Sequence, residues 1–121
     1  MSAVLDPPAL RKDVALLRSF AKLAPGWDGY SAAPPTPVVI AAARDYLNAT
    51  AEFAPDRVAP SVVGGVGVTF RRNGRKVYIE FRNTGSIHAL FSDGTTEPVV
   101  EAVDPGEYPE FLARARGYLG E

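Results

Sequence analysis

The chain has 121 residues, 46% of them hydrophobic and 22% charged, with a formal net charge of −1. That length suits one domain, and the composition is ordinary for a globular fold rather than a disordered chain. There is no cysteine, which excludes disulfides, cysteine-ligated zinc and thiol catalysis; a single histidine argues against a transition-metal centre.

No apolar run approaches the roughly 20 residues that a membrane helix needs, and residues 1–10 lack the basic-then-apolar order of a signal peptide. A cytoplasmic location without membrane attachment is therefore expected. The near-zero net charge hides a strong segregation. Between Arg57 and Arg82 six cations stand against one carboxylate, a local +5; between Asp93 and Glu121 seven carboxylates stand against two arginines, a local −5. Such a layout favours association within the fold, between copies as a homodimer, or with a partner.

In chain order, Asp6-Pro7 supplies a capping side chain followed by a proline that fits the first helical turn. Leu10, Val14, Leu17, Ala21 and Ala24 follow at helical spacing with Phe20 widening the stripe, predicting a helix over about 7–24 that Pro25-Gly26 ends. Thr36-Pro37 repeats the same start signal for a helix over about 37–53, with Val39, Ala43, Tyr46 and Leu47 on its buried side. Residues 54–65, with two prolines and a Gly-Gly pair, read as a connector with room for a short strand at 61–63.

The hydrophobic period then changes to two. Val66, Val68 and Phe70, then Val77, Ile79 and Phe81, then Ile87, Ala89 and Phe91 point one way along strands at about 66–72, 75–82 and 86–92. Asn73-Gly74 suits a two-residue turn that needs positive φ twice, and Asn83-Thr84-Gly85 suits a three-residue turn. Asp93-Gly94 predicts another tight turn into a strand at 95–103, where Pro98 marks an edge. A helix over about 108–119, with Phe111, Leu112, Ala115, Tyr118 and Leu119 as its stripe, closes the chain. The expected fold is a single α+β domain of order ααββββα, a four-stranded antiparallel meander with helices on one face.

Three constellations are candidates for function. Trp27-Asp28-Gly29-Tyr30 forms a tight corner that either braces the first two helices or displays aromatic anchors to a partner. Arg71-Arg72-Asn73-Gly74-Arg75-Lys76 concentrates four cations at a hairpin tip, a candidate phosphate contact for nucleic acid. On the outward sheet face, turn spacing sets His88 opposite Glu80 and Tyr78 between Thr69 and Leu90; Tyr78, Leu90 and Val99 then make an apolar centre ringed by charge. Glu80 and His88 have the right types for acid–base catalysis, but no nucleophile or phosphate-binding loop accompanies them. No catalytic, cofactor or metal residues are assigned.

The string Trp27 to Pro34 resembles a Trp-Asp-Gly/Ser-Tyr-Gly-Ala-x-Pro motif of a group of small, uncharacterised bacterial proteins, in which an alanine- and leucine-rich helix, a Pro-Ser-Val segment and a short meander follow. Here the matching pieces are helix 37–53, Pro60-Ser61-Val62-Val63 and the strands from Gly67 to Phe91, about two-thirds of the chain. Ser31 stands where glycine is usual, and Gly64-Gly65-Val66-Gly67 where an Asp-Gly-Gly turn is common. The resemblance implies no activity; it implies an antitoxin-like or accessory role in a compact gene pair. The expected function is a non-enzymatic protein-binding module, with a nucleic-acid-binding accessory protein as the alternative and a small Glu80/His88 enzyme as a remote third.

Overall fold

The structure is a computed structural model that describes residues 15–29, 32–49 and 53–120. The chain is α+β, with a five-stranded antiparallel sheet and three helices. Residues 15–20 (α1) and Pro37–Ala49 (α2) precede the strands Arg57–Ser61 (β1), Gly65–Arg72 (β2), Arg75–Arg82 (β3), Ile87–Ser92 (β4) and Val99–Ala102 (β5). A single 3₁₀ turn, Pro105–Glu107, leads into the last helix, Tyr108–Tyr118 (α3). The strands pair strictly in chain order, β1 to β5, as a meander.

Helix α2 starts as its sequence predicts: the Thr36 hydroxyl accepts the Val39 N–H at 3.3 Å, and Pro37 fills the first helical position. Its buried residues are Val39, Ala43, Tyr46 and Leu47. They meet the inward strand residues Val66, Val68, Phe70, Val77, Ile79 and Phe81, all at most 2% exposed. Tyr46 packs edge-on to Phe81 with centroids 5.5 Å apart, a geometry that adds about 0.5–1.5 kcal/mol beyond simple burial. Leu17 and Phe20 of α1, and Phe111, Ala115 and Leu119 of the last segment, complete the same core. Ala21 and Ala24, assigned above to the buried stripe of α1, are exposed, because the helix gives way to a turn after residue 20. The Asp6-Pro7 cap lies outside the described residues, as do residues 50–52 of the expected second helix.

Two expectations are corrected. The sheet has a fifth strand: β1 occupies the segment taken for a connector, pairing Val58 with Val68 and Ala59 with Gly67. A proline that would break an inner strand is tolerated at Pro60 because β1 is an edge. The last strand is also shorter and differently registered than predicted. Asp93-Gly94 does not close a tight hairpin. Instead the Asp93 carboxylate accepts the backbone N–H groups of Thr95 and Thr96, at 2.9 and 2.8 Å, and both threonine hydroxyls, which builds a wider loop. Those backbone and hydroxyl donors hold the Asp93 carboxyl far below the usual range. After the loop Val99 pairs with Phe91 and Val100 with Leu90. A tight turn at Asp93-Gly94 would set Val99 opposite His88; the observed shift of three residues, being odd, moves every side chain to the other face, so Val99 and Glu101 turn toward the helix layer. There Arg114 of α3 spans the Glu101 carboxylate, bonding Oε2 at 3.0 Å and approaching Oε1 at 2.5 Å.

Candidate functional site

With the helices on one side, the opposite face of the sheet is crossed by no other described strand or helix. The register sets Arg57, Thr69, Tyr78, Leu90 and Val100 in one row across the five strands, and Ala59, Gly67, Glu80, His88 and Ala102 in the next. Arg71, Lys76 and Ser92 flank the first row; Ser61, Gly65 and Arg82 flank the second. Tyr78 and Leu90 therefore lie side by side as predicted. Val99 does not join them; Val100, 64% exposed, holds that position.

A polar network crosses this face. The Glu80 carboxylate accepts the Ser61 hydroxyl at 3.0 Å, the Tyr78 hydroxyl at 3.1 Å and Arg82 Nε at 2.6 Å. Tyr78, Glu80 and Arg82 alternate along β3, so the pleat alone puts them on one side. Ser61 arrives from β1. The Tyr78 ring leans over Gly67: a Cβ at that glycine would stand 2.5 Å from the phenol oxygen. Partial burial pushes the Glu80 carboxyl up, but the hydrogen bonds from Arg82, Ser61 and Tyr78 outweigh it and hold the group below its ordinary value. Burial, then the neighbouring Glu80 charge and the bond to it, push the Tyr78 phenol up to about 12. One group is thus held ionised and the other neutral at pH 7, and neither is poised to exchange a proton there. His88 faces Glu80 in the register, yet no hydrogen bond or ion pair joins them among the described residues.

The basic hairpin is built differently from its sequence impression. Asn73 and Gly74 have φ of 55° and 74°, the predicted turn. Two of the four cations face the helix layer. Arg72 pairs with Asp56 at 2.8 Å and lies 4.6 Å from the Phe53 ring centre; Arg75 donates to the Tyr118 carbonyl at 2.8 Å and covers the Tyr118 ring. Asn73 Nδ2 donates to the Leu119 carbonyl at 2.7 Å. The tip thereby caps the carbonyl end of α3, where cations are favoured. Arg71 and Lys76 point to the open face.

The Trp27 corner closes on itself. Trp27 is half-buried and its indole N–H donates to the Ala33 carbonyl at 3.2 Å, while Asp28 Oδ1 accepts the Ala32 N–H at 3.2 Å. Gly29 takes φ of 83°, which lets the chain turn back. Tyr30 lies outside the described residues. The corner is fastened onward through Asn83, whose side chain accepts the Thr36 N–H and donates to the Pro34 carbonyl, both at 3.0 Å.

Ser61, Arg82, Gly67, Thr69 and Arg57 were not singled out from the sequence. The alternation of Tyr78, Glu80 and Arg82 was a usable signal for Arg82, and the Asn73-Gly74 turn already set Thr69 beside Tyr78; Ser61 and Arg57 needed the pairing of β1. No protein-family model, curated protein or solved structure matches this chain.

Proposed function

We propose that this chain is a non-enzymatic binding module that presents the open face of its sheet to an acidic protein partner, as an antitoxin-like or inhibitory member of a bacterial two-component system would. The observation that carries this is the make-up of the face. Tyr78, Leu90 and Val100 adjoin across three strands, and Arg57, Arg71, Lys76 and Arg82 surround them with Glu80 as the single carboxylate among the paired strand positions of this face. An apolar centre within charged surroundings is the usual construction of an interface, and the sign of the charge selects the partner. The saturated Glu80 and neutral Tyr78 support binding over catalysis. The self-bonded Trp27 corner supports a bracing role for that loop.

The test is affinity capture from the source organism with the wild-type chain, Leu90→Glu, Lys76→Glu and, as control, Val38→Glu on the exposed side of α2. The expected result is one partner recovered by wild type and Val38→Glu and lost with both sheet variants. Equal recovery by all four overturns the reading. A nucleic-acid partner, bound through the 71–76 hairpin, is the second reading, favoured by its outward cations Arg71 and Lys76. It is weakened by the internal use of Arg72 and Arg75 and by Tyr78 being the lone aromatic among the paired strand positions of the face. Binding of single strands at low salt that Arg71→Glu/Lys76→Glu abolishes would favour it instead.

A further inference from the structure

We infer that the open face contains a carboxylate subsite: in a cleft between β1 and the Tyr78 ring, the Arg57 guanidinium and the Thr69 hydroxyl take the carboxylate of an acidic side chain, and the Tyr78 oxygen accepts the adjoining peptide N–H. This rests on the reading of that face as the partner surface and names what it grips.

The cleft has a volume of about 190 Å³ and is lined by Arg57, Ala59 and Pro60 of β1, Gly67 and Thr69 of β2, and Tyr78 of β3. That is below the roughly 300 Å³ of typical small-molecule pockets; it suits one side chain with its peptide unit. The missing side chain at Gly67 lets the Tyr78 ring lie over β2 as one wall of the cleft, because the phenol oxygen lies where a Cβ would clash.

Thr69 is 9% exposed, and its hydroxyl has no hydrogen-bond partner among the described residues although the side chain lines the cleft. The hydroxyl is not one of the buried unpaired polar atoms of the described residues: it is open to the cleft, where it can donate to a ligand. Arg57 stands directly across from Thr69 in the register and is exposed. The neighbouring Asp56 does not engage it, being bonded to the Arg71 N–H and the Arg72 guanidinium. A guanidinium fork matches a carboxylate in two-point geometry.

Tyr78 adds direction. Its proton is committed to Glu80, so toward the cleft its oxygen acts only as an acceptor. A ligand must therefore carry an anionic group and, one side-chain length away, a donor; an aspartate or glutamate residue in a peptide has its N–H at that spacing, whereas inorganic phosphate carries its O–H and its charge on one small centre. Glu80 repels such a ligand little, because Arg82 at 2.6 Å balances its charge.

The experiment is amide NMR titration of the full chain with N-acetyl-aspartate N-methylamide, its asparagine counterpart and inorganic phosphate. The aspartate compound is expected to shift the Gly67, Thr69 and Tyr78 resonances. The asparagine compound and phosphate should bind about tenfold more weakly, and Thr69→Val and Arg57→Gln should each weaken the aspartate compound about tenfold. Valine keeps the shape of threonine and Arg57 is exposed, so both variants should retain the wild-type spectrum elsewhere. Unshifted cleft resonances, equal binding of the aspartate and asparagine compounds, phosphate binding as tightly as aspartate, or an unaffected Thr69→Val would each overturn the subsite. Loss of the captured partner in Leu90→Glu with no aspartate binding would remove the subsite and leave the binding face. Aspartate binding with a partner indifferent to the sheet variants would remove the partner reading.

Discussion

On the side of the sheet that meets the helices, β2, β3 and β4 contribute Val66, Val68, Phe70, Val77, Ile79, Phe81, Ile87, Ala89 and Phe91, all buried. On the reverse side the same three strands contribute Gly65, Gly67, Thr69, Tyr78, Glu80, Arg82, His88 and Leu90. The first set fills volume; its contacts are nonpolar and shared with three helices. The second set is held by side-chain hydrogen bonds centred on Glu80 and includes two glycines. The difference separates stability from recognition: apolar burial against the helices holds the fold, which leaves the other face free to carry charge, a raised phenol pKa and an unpaired hydroxyl.

The largest expected effect breaks the buried side. Ile79→Ala should cost about 2–5 kcal/mol, because its side chain is fully enclosed and a cavity remains. Leu90→Ala, one position away on the neighbouring strand but on the open face, should stay within about 0.5–1 kcal/mol. Urea denaturation measures both, and equal losses would erase the distinction between the faces.

The two open-face glycines sharpen the comparison next. A Cβ at Gly65 would stand 1.9 Å from the Phe81 carbonyl oxygen, a backbone atom, so Gly65→Ala should cost about 1–3 kcal/mol. At Gly67 the obstacle is the end of the Tyr78 side chain, which can swing away. Gly67→Ala should therefore cost less in urea and release the Tyr78–Glu80 bond, seen as a fall in the Tyr78 midpoint by NMR. A larger loss at Gly67 than at Gly65 would show that the Tyr78 ring is fixed.

Glu80→Gln should have only a small effect on stability at neutral pH, about 1 kcal/mol from weakened charge-assisted bonds, but it should change the pH dependence at both ends. The folded Glu80 carboxyl lies below its ordinary value, so its contribution is present above the carboxylate range and disappears as pH falls through it. The variant should lose stability less steeply in acid. The Tyr78 phenol is raised from 10.0 to about 12, so its neutral form favours the fold below pH 10 and that contribution is lost as pH rises toward 12. In Glu80→Gln the Tyr78 midpoint should move down but stay above 10, since burial remains. An unchanged midpoint would mean that Glu80 does not act on Tyr78.

Local signals were enough for much of this. The period-2 alternation from Val66 to Phe91 and the Asn73-Gly74 turn determined which residues of β2, β3 and β4 share a face, and so set His88 opposite Glu80 and Tyr78 beside Leu90. The 3.6-residue spacing in α2 identified all four of its buried residues. These follow from the chain itself because period and turn geometry depend on near neighbours. Where the connection was longer, the chain alone was insufficient. Pro55 and Pro60 masked β1, since only its place at an edge makes a strand proline acceptable. The Asp93 loop shifted β5 by three residues, an odd number, and that moved Val99 away from Tyr78 and Glu101 onto Arg114. Tertiary structure also decided what the charges do. Arg72 and Arg75 look like free cations in sequence, but the end of α3 and the ring of Phe53 lie against them; Glu80 looks like half of a catalytic pair, but Ser61 and Arg82 fill its oxygens. Composition along the chain determined that the segment is basic. Which of its cations face outward depended on strand register and on distant carbonyls and rings, because electrostatic and hydrogen-bond partners are chosen by position in space.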